Sequence, residues 1–226
     1  MPLFHSTNRS LDNFNIEDYL FADSSVKQKL MKIAQERMEN LDTLIVLSTE
    51  GNGGTMLLCS TLKLMVEEQT SQHIFFTGNH YTELAEMSLD EFNQLCAPYR
   101  FVVFDNIEYG CSKPNQYVWL EKAFESLRNS GKKTLATYTV MEEANLKVPD
   151  FIQASAHEVV YSLSEPSLYP DLVRKMLEEH DVINVTEELI HQIASNTNIS
   201  VRELEGLCIH HIATEILAGR EKQHAQ

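Results

Sequence analysis

Short apolar runs alternate with helix-like patterns along most of the chain, and this alternation restricts the fold more than any other feature. The runs cover residues 44–47, 73–77, 101–104, 134–139 and 159–163. Helical patterns cover residues 55–68, 88–96 and 116–129. Strands that are apolar along their whole length are typical of a parallel sheet covered on both faces. The sequence therefore predicts an α/β sandwich.

The pattern changes after Pro166, where three helical stretches follow with no strand-like run between them: residues 169–180, 186–195 and 200–217. Ser200 and Glu203 have the spacing of a capping box, and Gly219 is a plausible end for the last helix. We therefore predict a polar N-terminal arm over residues 1–23, an α/β core over 24–164 that opens with a helix at 24–40, and a small all-α subdomain over 165–226.

A glycine-rich segment, residues 48–55, lies between the first apolar run and a helical pattern. This is the context of a phosphate-binding P-loop, in which backbone N–H groups surround the phosphates and a lysine neutralises their oxygens. The cradle residues are Gly51, Asn52, Gly53, Gly54 and Thr55. Gly54 stands at the lysine position, and each lost charge-assisted hydrogen bond costs about 1.5–3 kcal/mol, or roughly ten- to 150-fold in affinity. We predict a loop that keeps its shape without its ATPase chemistry.

A second candidate motif is the apolar run 101–104, which ends at Asp105. A carboxylate at such a strand end supports Mg²⁺, with Thr55 as the second protein ligand, and a following acidic residue polarises the attacking water in active ATPases. Asn106 occupies that following position and cannot act as a base, while Glu108 is displaced by two residues. We therefore predict a weakened metal site and no catalytic residue.

Further candidates lie on the fourth strand and the last helix. Thr137 and Thr139 lie on the fourth strand, and Thr139 either hydrogen-bonds a water or phosphate or is an ordinary strand-end threonine. Arg202 falls in the first turn of the last helix, where it either reaches a phosphate or is a solvated arginine. Whether Lys132 or Arg202 replaces the missing loop charge stays open.

The formal net charge of −15 argues against autonomous DNA binding and favours protein partners. The N-terminus lacks the pattern of a secretory signal and no apolar run has the length of a membrane span, so a cytoplasmic protein with no membrane contact is expected. The four cysteines form no CxxC pair, and we expect reduced thiols in or near the core.

The motif Arg-Glu-Leu-Glu-Gly at 202–206 resembles the second sensor of the DnaA family of AAA+ proteins. Residues 11–14 resemble the DnaA-type entry segment, whose aromatic residue, here Phe14, precedes the nucleotide pocket. Residues 48–53 and 101–108 are similar to those of Hda-type regulators, the DnaA-related group that also carries Asp-Asn at this strand end. Hda-type proteins lack the DNA-binding helix-turn-helix domain of DnaA, and none is expected here. The resemblance covers about residues 11–218.

This resemblance implies a P-loop NTPase of the AAA+ class with a helical lid, and regulation of replication initiation through protein contacts. It implies the DnaA initiator and the DNA polymerase sliding clamp as partners, and ADP or ATP with Mg²⁺ as a weakly bound cofactor, or none. Hda-type proteins dock on the clamp through a glutamine and apolar residues near the start. Leu3 and Phe4 would supply the apolar part, although the glutamine is missing.

One departure concerns residues 148–155, which resemble the place where relatives carry an arginine finger. Ala154 stands at that position. A finger supplied in trans contributes ~10³–10⁵ in rate, so its absence argues against stimulation of a partner's ATP hydrolysis, unless the finger comes from elsewhere.

Two other functions stay open. An active AAA+ ATPase of the helicase-loader or initiator type is favoured by Asp105 and Arg202 and opposed by Gly54 and Asn106. A partner protein that binds no nucleotide is the third reading. The sequence also leaves self-association open.

Overall fold

The structure is a computed structural model that describes residues 11–18, 24–66, 72–78, 80–140, 148–155, 158–162, 165–180 and 185–224. The chain divides into two compact units, Met1–Leu163 and Ser164–Gln226. The first is an α/β unit, and the second is helical.

The α/β unit alternates strands and helices. Its strands are β1 (Thr43–Thr49), β2 (His73–Phe76), β3 (Phe101–Phe104), β4 (Lys133–Val140) and β5 (Glu158–Ser162). Its helices are α1 (Ser24–Gln35), α2 (Gly54–Met65), α3 (His80–Glu86), α4 (Leu89–Cys96), α5 (Pro114–Asn129) and α6 (Asp150–Ser155). Two 3-10 helices cover Ile16–Asp18 and Ile107–Cys111.

The five strands form one sheet in the order β2-β3-β4-β1-β5, and every pairing is parallel. The register sets Ser48 of β1 beside Thr139 of β4, and Phe104 of β3 beside Ala136. Because all strands run in the same direction, the segments that follow β1, β3 and β4 meet at one edge of the sheet. The predicted parallel α/β sandwich is confirmed.

Alternate residues of each strand feed two apolar cores, one on each face of the sheet. Ile45 and Leu47 pack into one core with α3 to α6, and Leu44 and Val46 pack into the other with α1 and α2. The first core is rich in aromatic rings, with the Phe92 and Trp119 ring centroids 5.0 Å apart in an edge-on arrangement. Such pairs add about 0.5–1.5 kcal/mol beyond burial, so ring contacts contribute to the stability of this core.

Local sequence explains several helix boundaries. Ser88 and Glu91 form a reciprocal capping box that starts α4. Pro114 begins α5, where its missing N–H costs nothing. Helix α1 ends at Gln35 rather than at the predicted residue 40, because Arg37 and Met38 take left-handed backbone angles (φ 47° and 56°) that a helix cannot contain. Helices α3 and α6 were not predicted.

The helical unit contains α7 (Tyr169–Glu179), α8 (Glu187–Ala194) and α9 (Val201–His224), preceded by a 3-10 helix at Pro166–Leu168. Its core includes Tyr169, Val173, Leu177, Ile190 and Leu204. The predicted capping box is present: the Ser200 N–H donates to Glu203 Oε2 at 2.8 Å, and the Glu203 N–H donates to Ser200 Oγ at 3.3 Å.

The expected stop of the last helix at Gly219 is wrong, since α9 continues to His224. A glycine in a helix costs about 1 kcal/mol relative to alanine, and this is too little to end a helix of such length. Within the described part of the chain, no helix is both long and apolar enough to cross a membrane. Cys59, Cys96 and Cys208 are buried as free thiols, and Cys111 is half-buried.

Candidate functional site

Residues 48–55, here called the phosphate loop, connect β1 to α2. Gly51 and Gly53 have left-handed backbone angles of φ 75° and 81°, which explains why both are glycine. Asn52 is buried and fixes the turn, since its N–H donates to the Thr49 carbonyl at 3.2 Å and its side-chain amide donates to Thr49 Oγ1. The loop therefore has the tight, glycine-dependent shape that a phosphate cradle requires.

Helix α2 begins directly behind this turn. Its N-cap is Gly53, which offers no side-chain oxygen to the first N–H groups of the helix. Uncapped N–H groups and the helix dipole together favour an anion at this end. The loop keeps this backbone contribution while Gly54, buried at the start of α2, contributes no charge.

The neighbouring strand ends hold a group of polar residues that we call the strand-end cluster: Asp105, Asn106, Glu108, Thr137 and Thr139. Asp105 is only 3% exposed. Its Oδ1 accepts hydrogen bonds from Thr55 Oγ1 and from Thr137 Oγ1, each at 2.8 Å. The Thr137 hydroxyl in turn accepts from the Asn106 N–H at 2.6 Å. The bond from Thr55 joins the cluster to the phosphate loop.

Thr55 and Asp105 are the two residues predicted to hold a metal, and the structure brings them together. A hydroxyl and a carboxylate are oxygen donors of the kind that Mg²⁺ prefers. The donor set fits Mg²⁺ bound through one carboxylate, one hydroxyl and water, with further oxygens supplied by a nucleotide.

The Glu108 carboxylate lies beside β4, where its Oε2 accepts from the Thr139 N–H at 3.0 Å. Asn106 has a left-handed angle of φ 56°, which asparagine tolerates better than most residues. Burial raises the pKa of Glu108, and the bond from the Thr139 N–H opposes that rise. The Glu108 carboxylate therefore serves as a hydrogen-bond acceptor for the backbone at the end of β4.

Tyr81 supports the cluster from α3. Its hydroxyl donates to the Asp105 carbonyl at 2.9 Å. Burial raises the pKa of Tyr81 well above its ordinary value, and the negative charges of Asp105 and Glu108 raise it further. Tyr81 thus remains a neutral hydrogen-bond donor.

The other predicted site residues belong neither to the phosphate loop nor to the strand-end cluster. Phe14 is half-buried against the core formed with α1 and α2. Arg202 is exposed on α9 in the helical unit, and Ala154 is exposed on α6. Leu3 and Phe4 lie outside the described residues.

Lys132 is not a replacement for the missing lysine. Its Nζ donates to the carbonyls of Ala97 and Tyr99, both at 2.7 Å. It directly precedes β4, at the amino edge of the sheet, opposite the edge that holds the phosphate loop.

Sequence reasoning missed two contributors. Tyr81 gave no signal, because its helix was not predicted. Ser48 lies at the first position of the loop, where the P-loop pattern has glycine, and this departure was visible in the sequence.

Known proteins were compared with this chain first by sequence. A search with protein-family models finds no match. In sequence, the chain is 22% identical over 194 residues to the chromosomal replication initiator protein DnaA of Synechocystis, covering 81% of this chain and 43% of that protein. The chain thus spans less than half the length of this relative.

Two solved structures show the same fold. Domain III of Thermotoga maritima DnaA superposes with a TM-score of 0.73 at 18% identity, covering 92% of this chain and 91% of that one. AMPPCP-bound DnaA from Aquifex aeolicus superposes with a TM-score of 0.67 at 17% identity, covering 95% of this chain and 69% of that one.

The parallel sheet, the glycine-rich turn before α2 and the carboxylate at the end of β3 define a P-loop NTPase fold of the AAA+ class. Within that class, the chain is similar in sequence and in fold to the bacterial replication initiator DnaA, the resemblance that its motifs predicted.

Proposed function

We propose that this protein is an Hda-like, DnaA-related regulator of replication initiation that acts through protein contacts and hydrolyses little or no ATP. The observation that carries the proposal is the loop itself, which keeps its turns at Gly51 and Gly53 but has Gly54 in place of a cation. A loop that has the shape to hold a phosphate but lacks the cation suits a protein that senses or tolerates nucleotide.

The strand-end cluster supports the loss of hydrolysis. The residue after Asp105 is Asn106, whose amide cannot take a proton from an attacking water. The nearest alternative carboxylate, Glu108, accepts a bond from the Thr139 backbone instead. A general base must accept a proton and must lie within hydrogen-bond reach of the water. Asn106 does not meet the first requirement, and the carboxylate of Glu108 is engaged elsewhere.

Weak nucleotide binding is part of the proposal. Thr55 and Asp105 would hold Mg²⁺, and the N–H groups at Gly51–Thr55 would contact phosphates of ADP or ATP. Phe14 and Arg202 are proposed as further nucleotide contacts on the strength of their motifs.

The proposed partners are the DnaA initiator and the sliding clamp, the latter through Leu3 and Phe4, in the cytoplasm. Since Ala154 replaces the arginine finger, the protein would act by competing for an initiator surface or with a finger from another subunit. Self-association stays open, and no autonomous DNA binding is proposed, given the net charge of −15.

ATP turnover by DnaA, measured with and without this protein, tests the proposal. We expect this protein to bind DnaA, to show no turnover alone and, because Ala154 supplies no finger, to give no stimulation. Clear stimulation would show that the finger comes from another subunit. Asp105→Asn serves as the matched control, because it removes the metal-binding charge at nearly constant shape. Sustained ATP hydrolysis by the isolated protein that Asp105→Asn abolishes would contradict the proposal.

An active AAA+ ATPase with an atypical loop is the second candidate. The 2.8 Å bond between Thr55 and Asp105 favours it, because the metal-binding pair is in place. The same turnover assay separates the two functions. A third candidate, a partner protein with no nucleotide site, predicts no heat of binding with ADP or ATP in calorimetric titration.

A further inference from the structure

We propose that Ser48 keeps the phosphate loop without a cation and limits its affinity for triphosphate, by occupying the space that a side chain at residue 54 needs. The loop therefore regains tight triphosphate binding only when Ser48 and Gly54 change together. This inference rests on the proposed nucleotide site and deepens it.

The first argument is distance. A Cβ atom built on Gly54 would lie 2.5 Å from Ser48 Oγ and 2.8 Å from Ser48 Cβ. Carbon atoms that are not bonded prefer separations of about 3.5–4.0 Å. The hydroxyl can rotate away from such a contact, but the Ser48 Cβ is fixed to its strand and cannot.

The second argument is that Ser48 has little freedom to move. It lies in the interior strand β1, paired with Thr139 of β4 on one side and with Ser162 of β5 on the other. It is 3% exposed. A strand held on both sides and buried in this way cannot shift to admit a larger neighbour without loss of pairing.

The third argument is that Ser48 belongs to the polar framework of the site. Its Oγ lies 3.5 Å from Thr139 Oγ1, and Thr139 Oγ1 lies 3.4 Å from Asn106 Oδ1. The Ser48 side chain thus links the phosphate loop to the strand-end cluster and fills the space beside Gly54.

The two departures from the P-loop pattern are therefore reciprocal. That pattern has glycine at the position of Ser48 and lysine at the position of Gly54. Here the small residue and the larger one have changed places. Gly54 does not have a left-handed backbone angle, unlike Gly51 and Gly53. The obstacle to a side chain at residue 54 is Ser48 and not the backbone.

A binding experiment with four proteins tests this: the wild type, Ser48→Gly, Gly54→Lys and the double variant, each titrated calorimetrically with Mg-ATP. We expect Gly54→Lys to bind no more tightly than the wild type. We expect the double variant to bind at least about tenfold more tightly, the gain from one charge-assisted bond. Equal affinity of Gly54→Lys and the double variant, or no gain in the double variant, would overturn the proposal.

A stability experiment tests the same contact without nucleotide or partner. Alanine normally stabilises a helical position relative to glycine. We nevertheless expect Gly54→Ala to lower Tm by about 5 °C through overpacking. In the Ser48→Gly background, the same substitution should leave Tm unchanged or raise it. An undiminished loss in that background, or no loss in the wild-type background, would overturn the role of Ser48.

The two failures are distinguishable. The Tm comparison involves neither ATP nor DnaA, so it overturns the contact and leaves the regulatory proposal intact. Turnover by the isolated wild-type protein overturns the regulatory proposal and leaves the Tm comparison as it stands.

Discussion

The phosphate loop and the strand-end cluster meet at the same edge of the sheet but differ in what they retain. The loop keeps the backbone turns at Gly51 and Gly53 and has no cation at Gly54. The cluster keeps the carboxylate of Asp105 with two hydroxyl donors. One region preserves shape, and the other preserves a charged ligand with its partners.

The difference follows from how each region is held. A buried carboxylate that loses its donors is costly, so Asp105, Thr55 and Thr137 stabilise one another. A lysine in a phosphate loop has no such internal partners, because its partner is the ligand. Its absence therefore costs binding rather than folding.

Among the tests of this comparison, Thr137→Val is expected to have the largest effect on stability. Valine keeps the shape but removes the donor to Asp105 and the acceptor of the Asn106 N–H. We expect a loss of about 2–3 kcal/mol in the free energy of unfolding, because the Asn106 N–H loses its acceptor and the Asp105 carboxylate loses one of its two hydroxyl donors. Urea denaturation measures it.

Thr134→Val is the matched control. Thr134 is also buried on β4, but it lies at the amino end of the strand, away from the cluster. We expect a smaller loss there. Equal losses at the two positions would show that the cluster is not specially stabilised.

A smaller effect is expected in the loop from Gly53→Ala. Alanine in a left-handed conformation costs about 1–2 kcal/mol. Gly131→Ala is the matched control, since Gly131 has φ 69° and no atom within 4 Å of an added Cβ. We expect similar losses by urea denaturation, with weaker ADP binding only in Gly53→Ala. If Gly53→Ala costs nothing, the left-handed turn is not required in solution.

The smallest effect concerns the pH dependence of Glu108→Gln. Because burial raises the pKa of Glu108, its stabilising contribution is fully present below the ordinary value of 4.5 and is lost as pH rises through the higher folded value. Glutamine does not titrate. The unfolding free energy of the variant relative to the wild type should therefore increase from pH 4 to pH 7 in urea titrations. A relative stability that falls with pH would contradict the assigned direction of the shift.

The fold was readable because its strands are apolar throughout and are separated by helical patterns. All five strands were placed within two residues of their observed ends. Helix α3 was missed because its seven residues are too few for a clear periodic pattern. The end of α1 was missed because nothing in Arg37 or Met38 indicates a left-handed angle.

The sequence predicted individual residues of the candidate site but not the contacts between them. Asp105 and Thr55 were identified from motifs. Their link to Thr137, and the bond between Glu108 and the Thr139 N–H, depend on the register of β3 and β4, which the sequence does not specify. The contact between Ser48 and Gly54 needs the curvature of the loop, although Ser48 itself departs visibly from the P-loop pattern.

The position of β1 has a consequence for how the protein folds. Its sheet neighbours, β4 and β5, both come later in the chain, and Ser48 meets Thr139 across 91 residues of sequence. Pairings of this range form slowly, since a long loop must close before they contribute. During synthesis, β1 leaves the ribosome without either neighbour, and its apolar residues stay exposed to aggregation until β4 follows. We expect release of the nascent chain before β4 to yield insoluble protein.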